Sequence, residues 1–425
     1  MKKVVGVFAF LFCLTLGVLS MQTTSEAATK WYEGQTMVVK KGAFTFKAHP
    51  AAGKKQAWIY YVKVDPKKGS TKTLKFPAKI KGRTVTKLGW TENMGEDAEF
   101  YKNIFNVWIE EAHDCDGYIR SLKKTQNLVI PKSVKEITNC AFSGMRSLKK
   151  VTIPSGIKKL SRSLFYGCRK LKTVNLPKKL QEFDKSVFLD CPSIKTMKIS
   201  KSNKQIQIKN GAVLSKDGTR LIWILPTRKN YTIPRKVNTI AGWAFEDCEV
   251  KNLNLPATVT VLEANALYSP AMENVHLDSQ NPVYAKDGQC VYDKKTGELI
   301  TAIVKDDKIV ISSKVTVLND KGTMTGMSVR GELKRIDIPA SVQKLVTGWM
   351  FFSNLDCKVY FHSLTPPQIE AIVPGWEYSA LPCFNPVYVP AASKEAYAKW
   401  AEDHYRYPGD TSDVKGLGFT KLYTF

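Results

Sequence analysis

Only five histidines occur in 425 residues, at positions 49, 113, 276, 362 and 404, and they share no metal-ligand spacing. No H-E-x-x-H, G-x-S-x-G, phosphate-loop or paired C-x-x-C motif is present, so no motif argues for hydrolysis, phosphoryl transfer or structural zinc. S-x-x-K occurs at Ser155–Lys158 and Ser341–Lys344, but both fall on framework positions of a repeat described below. Acidic residues are also few: 38 Asp and Glu face 64 Lys and Arg, a net charge of +26. After the first twenty or so residues no apolar run is long enough to cross a bilayer.

What is present begins with an N-terminal leader pattern. A basic "MKK", the apolar "VVGVFAFLFCLTLGVLS" and a small-residue site ending at Ala27 read as a secretory signal over residues 1–27. Cys13 does not read as a lipidation site, because Phe12 stands where a small residue would be needed. The expected location is therefore exported, at the cell surface or outside the cell. Eight cysteines remain, at 115, 140, 168, 191, 248, 290, 357 and 383. An even count in an exported chain invites disulfides, but the repeat argues otherwise for three of them.

"AFSGMRSLKKVTIP" (141–154) returns as "LFYGCRKLKTVNLP" (164–177), 23 residues later. Aligned on Pro131, Pro154 and Pro177, three copies share apolar positions: Val134, Ile157 and Leu180; Ile137, Leu160 and Phe183; and Phe142, Phe165 and Phe188. Met145, Cys168 and Cys191 share another, followed by Leu148, Leu171 and Ile194, then Val151, Val174 and Met197. Further copies follow Pro234 and Pro256, with a weaker one at Ile311, a return over 333–352 that has one extra residue before its aromatic, and a loop-expanded first copy at 74–89. A 23-residue unit cannot bury its own apolar face, so the units must stack and share a core. The alternating L-x-x-V-x-I portion predicts a half-buried strand, which Pro ends because it cannot donate to a ladder. The remainder turns back through loop or a short helical turn. We expect a β-rich solenoid of about seven coils, with parallel strands on a concave face, turns on the convex side and Cys168, Cys191 and Cys248 in small apolar pockets.

The wording I-P-x-x-V-x-x-I-x-x-x-A-F-x-x-C-x-x-L resembles the BspA-like class of bacterial leucine-rich repeats, over roughly residues 74–400. The Asn ladder of many leucine-rich repeats is missing here, with Gly156 at its place. The resemblance implies a leucine-rich repeat solenoid in an exported surface protein. Residues 28–73 read as a β-rich N-terminal cap, 74–362 as the array and 363–425 as a C-terminal cap, with a helix starting near Ser393, its expected N-cap. The stretches 206–226 and 282–304 share N-G, K-D-G and T-G turn signals and predict inserted hairpins.

For function, a solenoid surface without a catalytic cluster implies a non-enzymatic binding or adhesion protein for a host or cell-surface protein or glycan, with no cofactor. A structural surface-layer component is the alternative. A glycan-active enzyme is a weaker one, because no recurrent pair of carboxylates is supplied. Side chains flanking the inward strand residues face out of the core. They give Lys150 and Thr152, Thr173 and Asn175, Thr196 and Lys198, Asn252 and Asn254, Asn274 and His276, and Arg335 and Asp337 as candidate ligand contacts. Residues 131–200 hold sixteen Lys or Arg against four acids. There Lys149, Lys158, Lys159, Lys178 and Lys179 are candidates for attracting an acidic polysaccharide, with simple solvation as the plainer reading. Nucleic acid is disfavoured by export. "EEAHDCDG" (110–117) clusters oxygen ligands suited to a hard cation, but without EF-hand spacing it reads as a solvated loop, and no metal is assigned.

Overall fold

The computed structural model describes residues 36–51, 55–89, 122–319, 333–347, 357–371, 386–403 and 422–425. The leader 1–27, the acidic segment 110–117, Cys115 and Cys383 lie outside the described residues. The chain divides into two compact units, Met1–Asp217 with Leu225–Thr227, and Gly218–Ile224 with Arg228–Phe425.

Both units are parallel β-solenoids, with about 11 turns among the described residues rather than seven. In the first unit the strands Thr73–Lys75, Asn127–Val129, Lys150–Thr152, Thr173–Asn175 and Thr196–Lys198 form one parallel sheet. The register is that of the repeat: Lys150, Thr173 and Thr196 align, as do Thr152, Asn175 and Lys198. The central residues Val151, Val174 and Met197 point into the core. Antiparallel strands Met37–Lys41, Phe44–Pro50 and Gln56–Val64 precede this sheet. The first expected hairpin is present as Ile206–Lys209 paired with Ala212–Ser215.

The proline that closes each strand also begins a turn. Its carbonyl accepts the N–H three residues on, from Val134, Ile157, Leu180, Val237, Val259 and Val342, at 2.9–3.2 Å. This i to i+3 closure explains the P-x-x-[VIL] spacing. One residue before the F-x-x-[CM] sulfur the backbone is left-handed, at Gly144 (φ 70°), Gly167 (φ 69°), Asp190 (φ 54°) and Asp247 (φ 59°). Gly and Asp recur there because they tolerate that conformation at least cost. Behind the sheet, Phe76, Phe142, Phe165 and Phe188 form a column at centroid separations of 5.9, 5.6 and 5.7 Å, one ring per coil, the first pair tilted and the other two stacked.

In the second unit, strands Asn230–Thr232, Asn252–Leu255 and Asn274–Leu277 form one parallel sheet. Lys308–Val310, Arg335–Ile338, Lys358–Phe361, Val387–Val389 and Leu422–Thr424 form another. The return limb, read from sequence as loop or helical turn, is also strand here. Arg220–Ile224, Thr239–Ile240 and Val261–Leu262 pair in parallel, as do Val317–Asn319, Lys344–Thr347 and Gln368–Ala371. The second inserted element is a three-stranded antiparallel sheet, Tyr284–Asp287, Cys290–Asp293 and Leu299–Ala302. The expected helix spans Lys394–Asp403. Ser393 does not cap it as expected, since its hydroxyl donates back to the Pro390 carbonyl at 2.9 Å.

A buried asparagine opens each inserted element. The Asn203 amide donates to the Lys178 and Leu180 carbonyls while its oxygen accepts from Gln205 and Ile206. Asn281 does the same with Pro256, Val259, Val283 and Tyr284. Each side chain satisfies backbone groups that the irregular connection would otherwise leave unpaired.

Candidate ligand-binding face

The outward residues of the parallel sheets build the candidate face, because alternate side chains leave the core on one side. Asn252 Nδ2 donates to Asn230 Oδ1 at 2.8 Å, and Asn274 Nδ2 to Asn252 Oδ1 at 2.9 Å. Two residues along, Asn254 Nδ2 donates to Thr232 Oγ1 at 2.9 Å, with exposed His276 next in register. In the first unit Asn175 Nδ2 donates to Thr152 Oγ1 at 2.8 Å, while Lys150 and Lys198 are exposed and Thr173 and Thr196 half-buried. Sequence reasoning did not name Asn230 and Thr232, although they stand 22 residues before Asn252 and Asn254.

Asp337 differs from expectation. Asp337 was placed among solvent-facing contacts, but it is 6 % exposed. Its carboxylate accepts from Arg335 Nε and Nη2 at 2.8 and 2.7 Å, from Lys308 Nζ at 2.8 Å and lies 2.8 Å from His362 Nε2. Burial works to raise its pKa, but hydrogen bonds from these cations outweigh it and hold the carboxyl well below the usual range. Asp337 is thus a clamp for the cations around it rather than a free contact. Arg335 lies over the Tyr360 ring, 3.8 Å from its centroid. Tyr360 stacks on Tyr388 at 4.4 Å, and Tyr388 on Tyr423 at 5.0 Å. Sequence reasoning missed this column.

The five candidate polyanion lysines are all exposed, but they occupy different parts of the coil. Lys149 lies at strand entry, Lys158 and Lys159 four and five residues past Pro154, and Lys178 and Lys179 directly after Pro177. Glu182 lies 3.8 Å from Lys159. The lysines that do line up are Lys149, Lys172 and Lys195, joined by backbone bonds between successive coils and spaced 23 apart. That spacing could have identified them from sequence.

Among the described residues no group of three or more His, Cys, Asp or Glu could hold a metal ion. Ser341 Oγ donates to the Val315 carbonyl at 2.8 Å, and Lys344 pairs with Glu370, so this S-x-x-K pair serves the framework. A pocket of about 540 Å³ beside the first coil, lined by Lys41, Phe44, Thr73, Lys75, Phe76 and Val129 among others, contains no carboxylate, imidazole or thiol. Cys168, Cys191 and Cys248 are buried and unbridged. The Cys168 and Cys191 thiols donate to the Phe142 and Phe165 carbonyls at 3.3 and 3.0 Å. No helix among the described residues is long and apolar enough to cross a membrane.

No curated protein matches the sequence. Among solved structures, the chain is similar to a leucine rich cell surface protein from Faecalibacterium prausnitzii, with 15 % identity and a TM-score of 0.37, covering 82 % of this chain and 98 % of that one. It is similar also to the pneumococcal vaccine antigen PcpA, with 13 % identity and a TM-score of 0.31, covering 91 % and 98 %. A leucine-rich repeat protein from Bacteroides ovatus matches with 14 % identity and a TM-score of 0.27, covering 87 % and 98 %. Residues 118–212 and 227–291 match the BspA type leucine rich repeat region, in six copies. With proline turns, inward aromatics and buried sulfurs recurring coil by coil, residues 118–212 and 227–291 are repeats of the BspA-type leucine-rich class.

Proposed function

We propose that this is an exported, non-enzymatic binding protein that holds a protein or glycan ligand of host or neighbouring cells on the outward face of its parallel sheets. The observation that carries this reading is the in-register polar surface of Asn230, Asn252 and Asn274 with Thr232, Asn254 and His276. Amides and hydroxyls fixed by mutual hydrogen bonds present donors and acceptors at strand spacing with little entropy left to lose on binding. The leader pattern at 1–27 supports export.

The test replaces Asn175, Asn252 and Asn254 with Glu in one variant and measures capture of surface glycoproteins and matrix glycans against wild type. The substitutions touch only outward side-chain hydrogen bonds, one each at Asn175 and Asn254 and two at Asn252, about 1 kcal/mol apiece, so the variant folds. Capture falls to background. A folded variant that captures as wild type does would remove this face as the site and leave the inserted elements at 206–226 and 282–304.

A further inference from the structure

We infer that the sheet formed by Lys308–Val310, Arg335–Ile338, Lys358–Phe361, Val387–Val389 and Leu422–Thr424 carries a dedicated site for an acidic saccharide chain, running across the strands. The inference rests on the binding reading above and names its ligand class and place. Two outward rows lie side by side. Lys308, Arg335 and Lys358 are in register on three adjacent strands. Two residues along, Asp337, Tyr360, Tyr388 and Tyr423 are in register on four.

The first row is unfavourable unless something offsets it, since like charges directly opposite each other on neighbouring strands repel. Asp337 answers Lys308 and Arg335. Lys358 has no acidic partner among the described residues, and its ammonium lies 6.0 Å from the Tyr388 centroid. One carboxylate against three permanent cations leaves the patch two charges positive. Surplus cations at strand spacing complement a repeating anion such as a carboxylated or sulfated sugar.

The second row supplies the saccharide's other requirement. Arg335, Tyr360, Tyr388 and Tyr423 form one column, with ring planes inclined by 12° and 18° at the two tyrosine contacts. Because the faces cover one another, what each ring offers is its edge and its hydroxyl. None of the three hydroxyls bonds to a described residue, and none is buried without a partner. Each phenol can donate and accept. Their repeat, 4.4 and 5.0 Å between rings, is close to the advance of one sugar in an extended chain.

The experiment measures binding of the full chain to three hexasaccharides by calorimetry: a heparin hexamer (sulfated), an oligogalacturonate hexamer (carboxylated) and maltohexaose (neutral). Wild type is expected to bind at least one acidic hexamer at least tenfold more tightly than maltohexaose, and the better of the two identifies the anion. The double variant Lys358→Gln/Tyr388→Phe keeps the aromatic column and Asp337's partners, so it folds, as its urea midpoint verifies. Its affinity for the acidic hexamer drops tenfold or more. Charge reversal at Lys149, Lys172 and Lys195 is expected to cost less than threefold. Wild-type affinity in the double variant, equal binding of maltohexaose, or no binding of either acidic hexamer would overturn the inference. So would a larger loss from the Lys149, Lys172 and Lys195 variant. None of these outcomes depends on the Asn175, Asn252 and Asn254 variant, whose capture experiment judges the broader reading separately.

Discussion

Asn274 donates its side-chain amide to the side-chain oxygen of Asn252 at 2.9 Å, and Asn252 repeats the gesture to Asn230 at 2.8 Å, so three successive coils are tied along their solvent face. Removing the central member breaks both bonds without exposing any core. Asn252→Ala should cost about 1–2 kcal/mol, since each such bond contributes no more than about 1 kcal/mol net in reach of water. Urea unfolding of the variant checks this, and a loss above about 3 kcal/mol would mean that the row carries the fold rather than decorating it.

The buried asparagines should behave differently. Asn281 is 1 % exposed and engages four backbone groups. Asn281→Ala leaves those groups unpaired and should cost about 3 kcal/mol or more, as should Asn203→Ala. The contrast with Asn252→Ala, measured under one set of urea conditions, is the decisive comparison.

Phe165 lies in the column between Phe142 and Phe188 and is fully buried. Phe165→Ala opens a cavity between two rings that belong to rigid neighbouring coils, so little relaxation can fill it. The expected loss is about 3–5 kcal/mol. Phe165→Leu, which fills part of the space, should recover at least half of it by the same assay.

Asp337 makes stability depend on pH. Its folded pKa lies well below its unfolded value of about 4, so its contribution is complete above about pH 5 and is lost as pH falls toward the folded pKa. Asp337→Asn should cost about 2 kcal/mol at pH 7, less than a fully buried pair because its partners remain near 40 % exposed. At pH 3 the gap between wild type and variant should narrow by about 1 kcal/mol. A gap that stays constant or widens would contradict the clamp.

The thiols should be silent in the native state. Burial pushes Cys248 and Cys290 up to about 11 and Cys357 up to about 12, and Cys191 rises further through its contact with Cys168 and its burial. Iodoacetamide at pH 8, read peptide by peptide, should modify Cys140 before any of these. Native labelling of Cys168 or Cys191, or a bridge between them in the unreduced protein, would contradict the buried-pocket reading.

The sequence by itself determined the coil, the identity of its inward side chains and much of the outward face. A period of 23 with Pro at a constant place puts Val151, Val174 and Met197 in one inward row, because a two-residue alternation leaves no other side for them. Thr152 and Asn175 became neighbours for the same reason. Only the tertiary structure decided where that regularity fails. Tyr360, Tyr388 and Tyr423 are 28 and 35 residues apart, so no constant period brings them together. Backbone pairing of Val359 with Val387 and of Val387 with Leu422 does. Asp337 occupies an outward position that alternation reads as solvated, yet Lys308, Arg335 and His362 from three strand ends cover it. Such burial depends on how far long side chains reach across neighbouring strands, a distance in space that sequence separation does not encode.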